Sequence, residues 1–195
     1  MFVEALESIL EDHCTSAVVR SIEAGGSAAA LQAAIADAGF LELLADEADG
    51  GAGLTMQELY PVVALCGSHA VPLPVVQTLA ARLLALNQAE LPDGMVTFAP
   101  ALSVVDGGGL HCPLVPFAVT SDHVIAPNDD TLWLLPVAEA RRIASGVHGS
   151  LAATLQWDAD AGKALPSALR GKSLQALGAV LHAGLLAGAM KRVFR

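Results

Sequence analysis

Apolar residues recur every three or four positions through roughly the first ninety residues, and then at every second position. Phe2, Leu6, Ile9 and Leu10 fall on one side of a helix, with Glu4, Glu7 and Glu11 on the other. Thr15 to Glu23 predicts a second, short helix that ends at Gly25-Gly26. Ser27 reads as the N-cap of a third, whose inward stripe is Leu31, Ala34, Ile35 and Ala38 before Gly39 stops it. After the loop Asp49-Gly-Gly-Ala-Gly53, Thr55 opens a fourth helix with Glu58 at the capping-box position. Leu59, Val62, Val63 and Cys66 form its stripe, and Gly67 is its expected stop. Pro72-Leu-Pro74 then turns the chain into a fifth helix, with Val76, Leu79, Leu83 and Leu86 inward, that should end near Glu90.

At Leu91-Pro-Asp-Gly94 the helical period gives way to the strand period. Met95 to Val105, Leu110 to Val119, His123 to Ala126 and Thr131 to Val137 predict short strands, and Gly149 to Trp157 alternates with Leu151, Ala153, Leu155 and Trp157 on one face. Prolines at 100, 113, 116 and 136 break several of these or confine them to edges. From Arg170 to Arg195 five basic and no acidic residues surround an uncharged run, Ser173 to Met190, that is apolar all round a helix. Nothing earlier in the sequence is assigned to cover it, so more chain, a partner subunit or a bilayer should. The run has the length of a minimal span and a Gly184-x-x-x-Gly188 contact motif, but Gln175, His182 and its Ala/Gly richness argue against a membrane. The expected fold class is α+β: an N-terminal all-helical domain (1–91), a small antiparallel β domain (92–166), and the start of a C-terminal helical domain (167–195).

Composition sharpens this. Hydrophobic content is 54% and mean hydropathy +0.55, yet aromatics are only 4%, so packing rests on small residues. A net charge of −10 argues against nucleic acid as a partner. Residues 1–90 hold twelve acids against two bases, whereas 91–195 hold eight of each, so the acids belong to solvated helix faces. Cys14, Cys66 and Cys112 are odd in number and far apart, which suits a reducing cytoplasm. Cys66 with His69, and His111 with Cys112, lack a second ligand pair at zinc spacing, so no metal site is expected. Met1-Phe-Val-Glu4 has an acid where a secretion signal needs bases, so export is not expected.

The ordered motifs resemble the acyl-CoA dehydrogenase family. Ala38-Gly39-Phe40-Leu41-Glu42-Leu43-Leu44, followed by Glu47-Ala-Asp-Gly50-Gly51-Ala-Gly53-Leu54-Thr55, resembles the segment joining two helices of that family's N-terminal domain. Glu58 through Cys66-Gly67-Ser68-His69 to Pro74 is similar to the next helix and its proline turn. Val96-Thr-Phe-Ala99, Asp122-His123-Val-Ile and Leu155-Gln-Trp-Asp158 resemble strands of the middle domain, and Ala176 to Val193 the first long helix of the C-terminal domain. Essentially the whole chain is covered, up to a point where family members continue.

The resemblance implies FAD, an acyl-CoA thioester as substrate, a place in fatty acid metabolism, and a homo- or hetero-oligomer. In such enzymes a flavin takes hydride from one carbon while a carboxylate takes a proton from its neighbour, in a water-poor pocket. Here the sequence departs from the pattern. The flavin loop is abridged to Pro100–Gly108, with Ala101 where a threonine would fall and Ser103 as the hydroxyl nearby. The following flavin strand is reduced to Phe117-Ala-Val-Thr120-Ser121, without tryptophan. Ser103 and Thr120 are therefore the candidate cofactor contacts. No catalytic residue is assigned: the register with Gly188 puts Gly178 at one of the family's base positions, the other would lie beyond Arg195, and His182 reads as a helix-face histidine. Two functions follow. The chain is part of a flavoprotein oxidising acyl-CoA at the α,β carbons, inactive by itself, or it is a non-catalytic subunit or degenerate homologue partnering an active relative.

Overall fold

The computed structural model describes residues 2–85, 91–105, 107–147, 149–167 and 171–194. Expectations at Leu86, Glu90, Arg170 and Arg195 lie outside these residues. The fold is α+β, with helices first, two β-sheets next and a long helix last. It divides into two compact units, Met1–Leu83 with Ala179–Arg195, and Leu84–Gly178.

In the helical unit the local signals act largely as read. α1 (Phe2–His13) buries Leu6 and Leu10, and α2 (Ser16–Glu23) starts where the Thr15 hydroxyl accepts the Val18 N–H at 3.4 Å. α3 (Ala29–Asp37) differs in detail. Ala28 is its N-cap residue and makes no side-chain cap bond, while Ser27 accepts the Ala29 N–H from one position upstream, at 3.2 Å. α4 (Met56–Ser68) opens on the full capping box, Glu58 N–H to Thr55 Oγ1 at 3.3 Å and Thr55 N–H to Glu58 Oε2 at 2.9 Å. A box of this kind contributes about 1 kcal/mol.

Three expectations fail here. α5 (Val75–Ala81) is seven residues long, all buried, and turns away at Arg82, leaving Leu83 exposed rather than inward. Gly67 does not stop α4, which runs on to Ser68. Its function is steric, because a Cβ on Gly67 would strike the Leu185 backbone of the last helix, α6 (Gly171–Val193). A Cβ on Gly188 would likewise strike the Ala64 carbonyl, and one on Gly184 the Val63 side chain at 2.7 Å. The third failure is the idea that nothing earlier in the chain covers α6. This glycine seam seats one face of it on α4, with Leu181 buried, and Arg192 Nη1 donates to the Ser68 carbonyl at 3.0 Å. Val180, Leu186 and Met190 remain exposed on α6. By length and composition Ser173–Val193 is also long and apolar enough to cross a membrane.

The β unit contains two four-stranded sheets. One has the order β1 (Val96–Phe98), β4 (His123–Asn128), β5 (Thr131–Pro136), β8 (Lys163–Leu165). The other has β2 (Ser103–Val104), β3 (Leu110–Val115), β7 (Ala153–Trp157), β6 (Arg141–Ala144). Cys112, Val115, Val124, Leu135 and Leu155 fill the interior, and buried Trp157 donates from Nε1 to the Pro136 carbonyl at 2.7 Å. The domain is not wholly antiparallel: β1 and β4 pair in parallel. They can do so because β2 and β3 intervene and belong to the other sheet, so no hairpin joins them. The run Met95–Val105 splits at Pro100, and the strand expected from Gly149 begins at Ala153. β6 and β8 were not foreseen, because Arg141-Arg-Ile-Ala144 is exposed throughout and Lys163–Leu165 is too short to show a period.

Two substitutions test this packing. Gly188→Ala should cost about 1–3 kcal/mol by overpacking against Ala64. Gly178→Ala, where a Cβ meets nothing within 4 Å, should instead stabilise by up to about 1 kcal/mol through helix propensity. Thermal unfolding of both checks the seam, and equal midpoints would disprove it. Gln77, 1% exposed on α5, has neither carboxamide atom hydrogen-bonded. Gln77→Leu should therefore raise stability by about 1–2 kcal/mol in denaturant titration, since an orphaned buried polar group costs that order.

Candidate functional site

Of the two residues assigned to a cofactor, Ser103 lies on the sheet β2-β3-β7-β6 and Thr120 lies in a turn outside both sheets. Ser103 begins β2 opposite His111, and its exposed hydroxyl stands 3.4 Å from both His111 Nδ1 and the His111 carbonyl. Thr120 lies beyond the far end of β3, in the turn that leads to β4. Its N–H and hydroxyl both point to the Phe117 carbonyl, at 3.0 and 3.4 Å, and Ser121 Oγ donates to the same oxygen at 2.7 Å. The turn is fastened on either side, by Thr97 Oγ1 to the Pro116 carbonyl at 2.7 Å and Val119 N–H to the Leu151 carbonyl at 3.1 Å. Phe117 takes a left-handed backbone angle, φ 54°, within it, and Leu114, φ 48°, lies where β3 shifts register against β7. From His111 to Val115 the strand advances roughly 13 Å. Ser103 and Thr120 are thus not brought together, and each hydroxyl is turned onto its own chain.

The remaining sequence candidates are also placed. Gly178, at the matched base position, has open space where a side chain would be, and His182 sits one turn further along α6. Most amides of the Gly50–Gly53 loop are spent internally rather than turned out to a phosphate. Gly50, Gly51, Gly53 and Leu54 donate to the carbonyls of Glu47, Asp46, Ala45 and Leu43 at 2.9–3.1 Å. Burial pushes the thiols up, Cys14 to about 11 and Cys66 and Cys112 to about 12, so none is a thiolate nucleophile at neutral pH. Among the described residues no three His, Cys, Asp or Glu side chains are grouped to hold a metal ion.

Sequence reading missed a cleft of about 840 Å³ in the helical unit, floored by α4 and walled by α1 and α6. At one end Cys14 Sγ donates to the His69 carbonyl at 3.8 Å and Arg192 to the Ser68 carbonyl, which draws the C-terminal ends of α1, α4 and α6 together. His69 lines it with Glu7 and Glu11 on α1 and Lys191 on α6. Burial and the Arg192 guanidinium hold His69 below its ordinary 6.5, against the pull of Glu7 and Glu11. The cleft joins residues far apart in sequence. Its trace in the chain is Glu7 and Glu11 at i, i+4 together with the basic pair that ends α6.

No known family profile matches this sequence, and no curated protein does. Solved structures do. The Tcur3481-Tcur3483 steroid ACAD, as a single-site variant, superposes with a TM-score of 0.70 at 22% identity, over 94% of this chain and 60% of that one. The ChsE4-ChsE5 complex from Mycobacterium tuberculosis gives 0.71 at 16%, over 97% and 62%. TdsC from Paenibacillus sp. A11-2, solved with FMN and indole, gives 0.64 at 14%, over 95% and 60%. The chain has the acyl-CoA dehydrogenase fold. It matches the N-terminal and middle domains of these flavoproteins and spans 60% to 62% of their length.

Within this acyl-CoA dehydrogenase fold, acid sensitivity follows from two histidines. Burial lowers His123 too, with Asp122 opposing and Lys163 adding. A histidine whose folded pKa lies below its unfolded value contributes stability above about 6.5, and loses it as pH falls through the folded value. The thermal midpoint should therefore drop as pH falls below about 6.5. A His69→Asn, His123→Asn double variant should have a shallower slope there, and an unchanged slope would assign the acid transition to other groups.

Proposed function

We propose that residues 1–195 are the N-terminal and middle portion of an acyl-CoA dehydrogenase-like flavoprotein that oxidises an acyl-CoA thioester at its α,β carbons in fatty acid metabolism. On this reading the portion has no activity alone. The observation behind it is the fold itself, matched along nearly all of this chain to flavoproteins that continue well beyond it. Oxidation of this kind needs a base at the α-carbon and an acceptor for hydride. The position matched to one base is Gly178, and the hydroxyls matched to a flavin are occupied locally. The remaining groups belong to residues outside 1–195 or to a partner. The cytoplasm is the compartment proposed, with an oligomer as the working form.

The occupied hydroxyls favour a second reading, a non-catalytic subunit that supports an active relative. Two of the matching structures are named as pairs, Tcur3481-Tcur3483 and the ChsE4-ChsE5 complex. Exposed Val180, Leu186 and Met190 on α6 would suit a subunit contact.

One experiment addresses both. Purified chain with added FAD is given acyl-CoAs of several lengths and an electron-accepting dye, and its flavin absorbance is recorded after desalting. No turnover is expected, since loss of the base alone removes about 10²–10⁴-fold in rate. Measurable turnover would overturn both readings. Stoichiometric FAD retained without turnover would keep the first and reject the second.

A further inference from the structure

The outer edge of the second sheet has no part in that reading. β6 closes the order β2-β3-β7-β6 and is paired on one side, to β7. All of its residues are exposed. The other sheet edges offer less: β1 is buried along its length, β2 spans two residues and β8 three. Hydrogen bonds further in fix which way the β6 backbone faces. Val105 N–H donates to the Gly109 carbonyl at 2.8 Å and Ser103 Oγ to the His111 carbonyl at 3.4 Å, so Gly109 and His111 turn to β2. Leu110 and Cys112 then turn to β7, and their partners Trp157 and Leu155 turn back to β3. That leaves Thr154 and Gln156 facing β6, where Thr154 N–H donates to Ser145 Oγ at 3.1 Å. Opposite them, Arg141 and Ile143 spend their backbone groups on β7. Arg142 and Ala144 therefore turn their N–H and carbonyl groups outward, away from the sheet. The side chains alternate as well, Arg141 and Ile143 on one face of the sheet and Arg142 on the other. Among the described residues neither arginine is ion-paired.

We propose that β6 receives an added strand, an extended acidic segment of another protein that carries two adjacent carboxylates beside β-branched residues. The segment's backbone pairs with the outward groups of Arg142 and Ala144. Neighbouring side chains of a strand point to opposite faces, so two consecutive acids reach Arg141 on one face and Arg142 on the other. The β-branched residue beside them then falls on Ile143, which is 40% exposed. Charge selects this occupant. The edge is locally basic on a chain of net charge −10 and holds no carboxylate of its own. A second copy does not fit, because β6 against β6 would gather the guanidinium groups of both copies along one short seam.

The probe is a synthetic peptide of about eight residues, within ordinary strand length, with two adjacent glutamates among valines and threonines. Titrated into the full chain and followed by nuclear magnetic resonance, it should bind with a dissociation constant on the order of 1 mM or tighter. Raising the salt should weaken it several-fold. The Arg142 and Ala144 amides should exchange freely in the chain alone and become protected with peptide, while those of Arg141 and Ile143 are protected throughout. Arg141→Gln with Arg142→Gln should weaken binding several-fold. Ala144→Pro removes one outward N–H without touching the ladder, and should abolish binding with the unfolding midpoint kept. If that midpoint falls, the exchange pattern and the arginine variant carry the test. The same peptide methylated on its backbone nitrogens keeps its charges and cannot pair, so it should not bind. Equal binding by the methylated peptide, equal binding by one with lysines for the glutamates, or Arg142 and Ala144 amides that stay unprotected would overturn the proposal.

Discussion

Between Gly67 on α4 and Gly184 and Gly188 on α6 the two backbones approach so closely that no side chain fits. Much else in the helical unit depends on this approach. It lets a helix whose run from Ser173 to Met190 is uncharged and apolar all round find a partner inside its own fold, and it brings Arg192 to the end of α4. It also sets the far wall of the cleft. Small residues give little hydrophobic burial each, so the gain comes from dispersion between backbones at close range. The low aromatic content fits a molecule organised around such contacts.

The β unit obeys a different constraint, the satisfaction of polar groups in a tight turn. One carbonyl, that of Phe117, takes bonds from two residues on its C-terminal side, and neighbouring carbonyls take others from Thr97 and Val119. A turn built this way is fastened from several sides, with the hydroxyl hydrogens of Thr120 and Ser121 both spent on one carbonyl.

How far the sequence was legible depended on the range of the interaction. Thr55 with Glu58 and the stop at Gly39 are decided within four residues, and each stands as read. The α+β order was legible because periodicity changes sharply at Leu91-Pro-Asp-Gly94, and ordered motifs led to the fold family without a close sequence relative. Gly67 was misread because glycine serves equally as a stop and as a contact, and only Leu185, far along the chain, decides between them. The length of α5 was invisible because its residues are buried on all sides, which removes any stripe. Ser103 and Thr120 could be located by pattern, but the state of their hydroxyls depends on partners that no pattern specifies.

The parallel pairing of β1 with β4 has a consequence for how the second unit forms. Between the two strands the chain visits the other sheet through β2 and β3, and β5 is followed by β6 and β7 there before β8 returns. Neither sheet can be completed from one contiguous stretch. The register Val96–His123 to Phe98–Ile125 closes only after the intervening hairpin has been set aside. Local zippering therefore cannot carry folding far, and loop closure must precede the contacts that reward it. The unit assembles as a whole, and the nascent chain holds β1 unpaired until residue 125 has emerged.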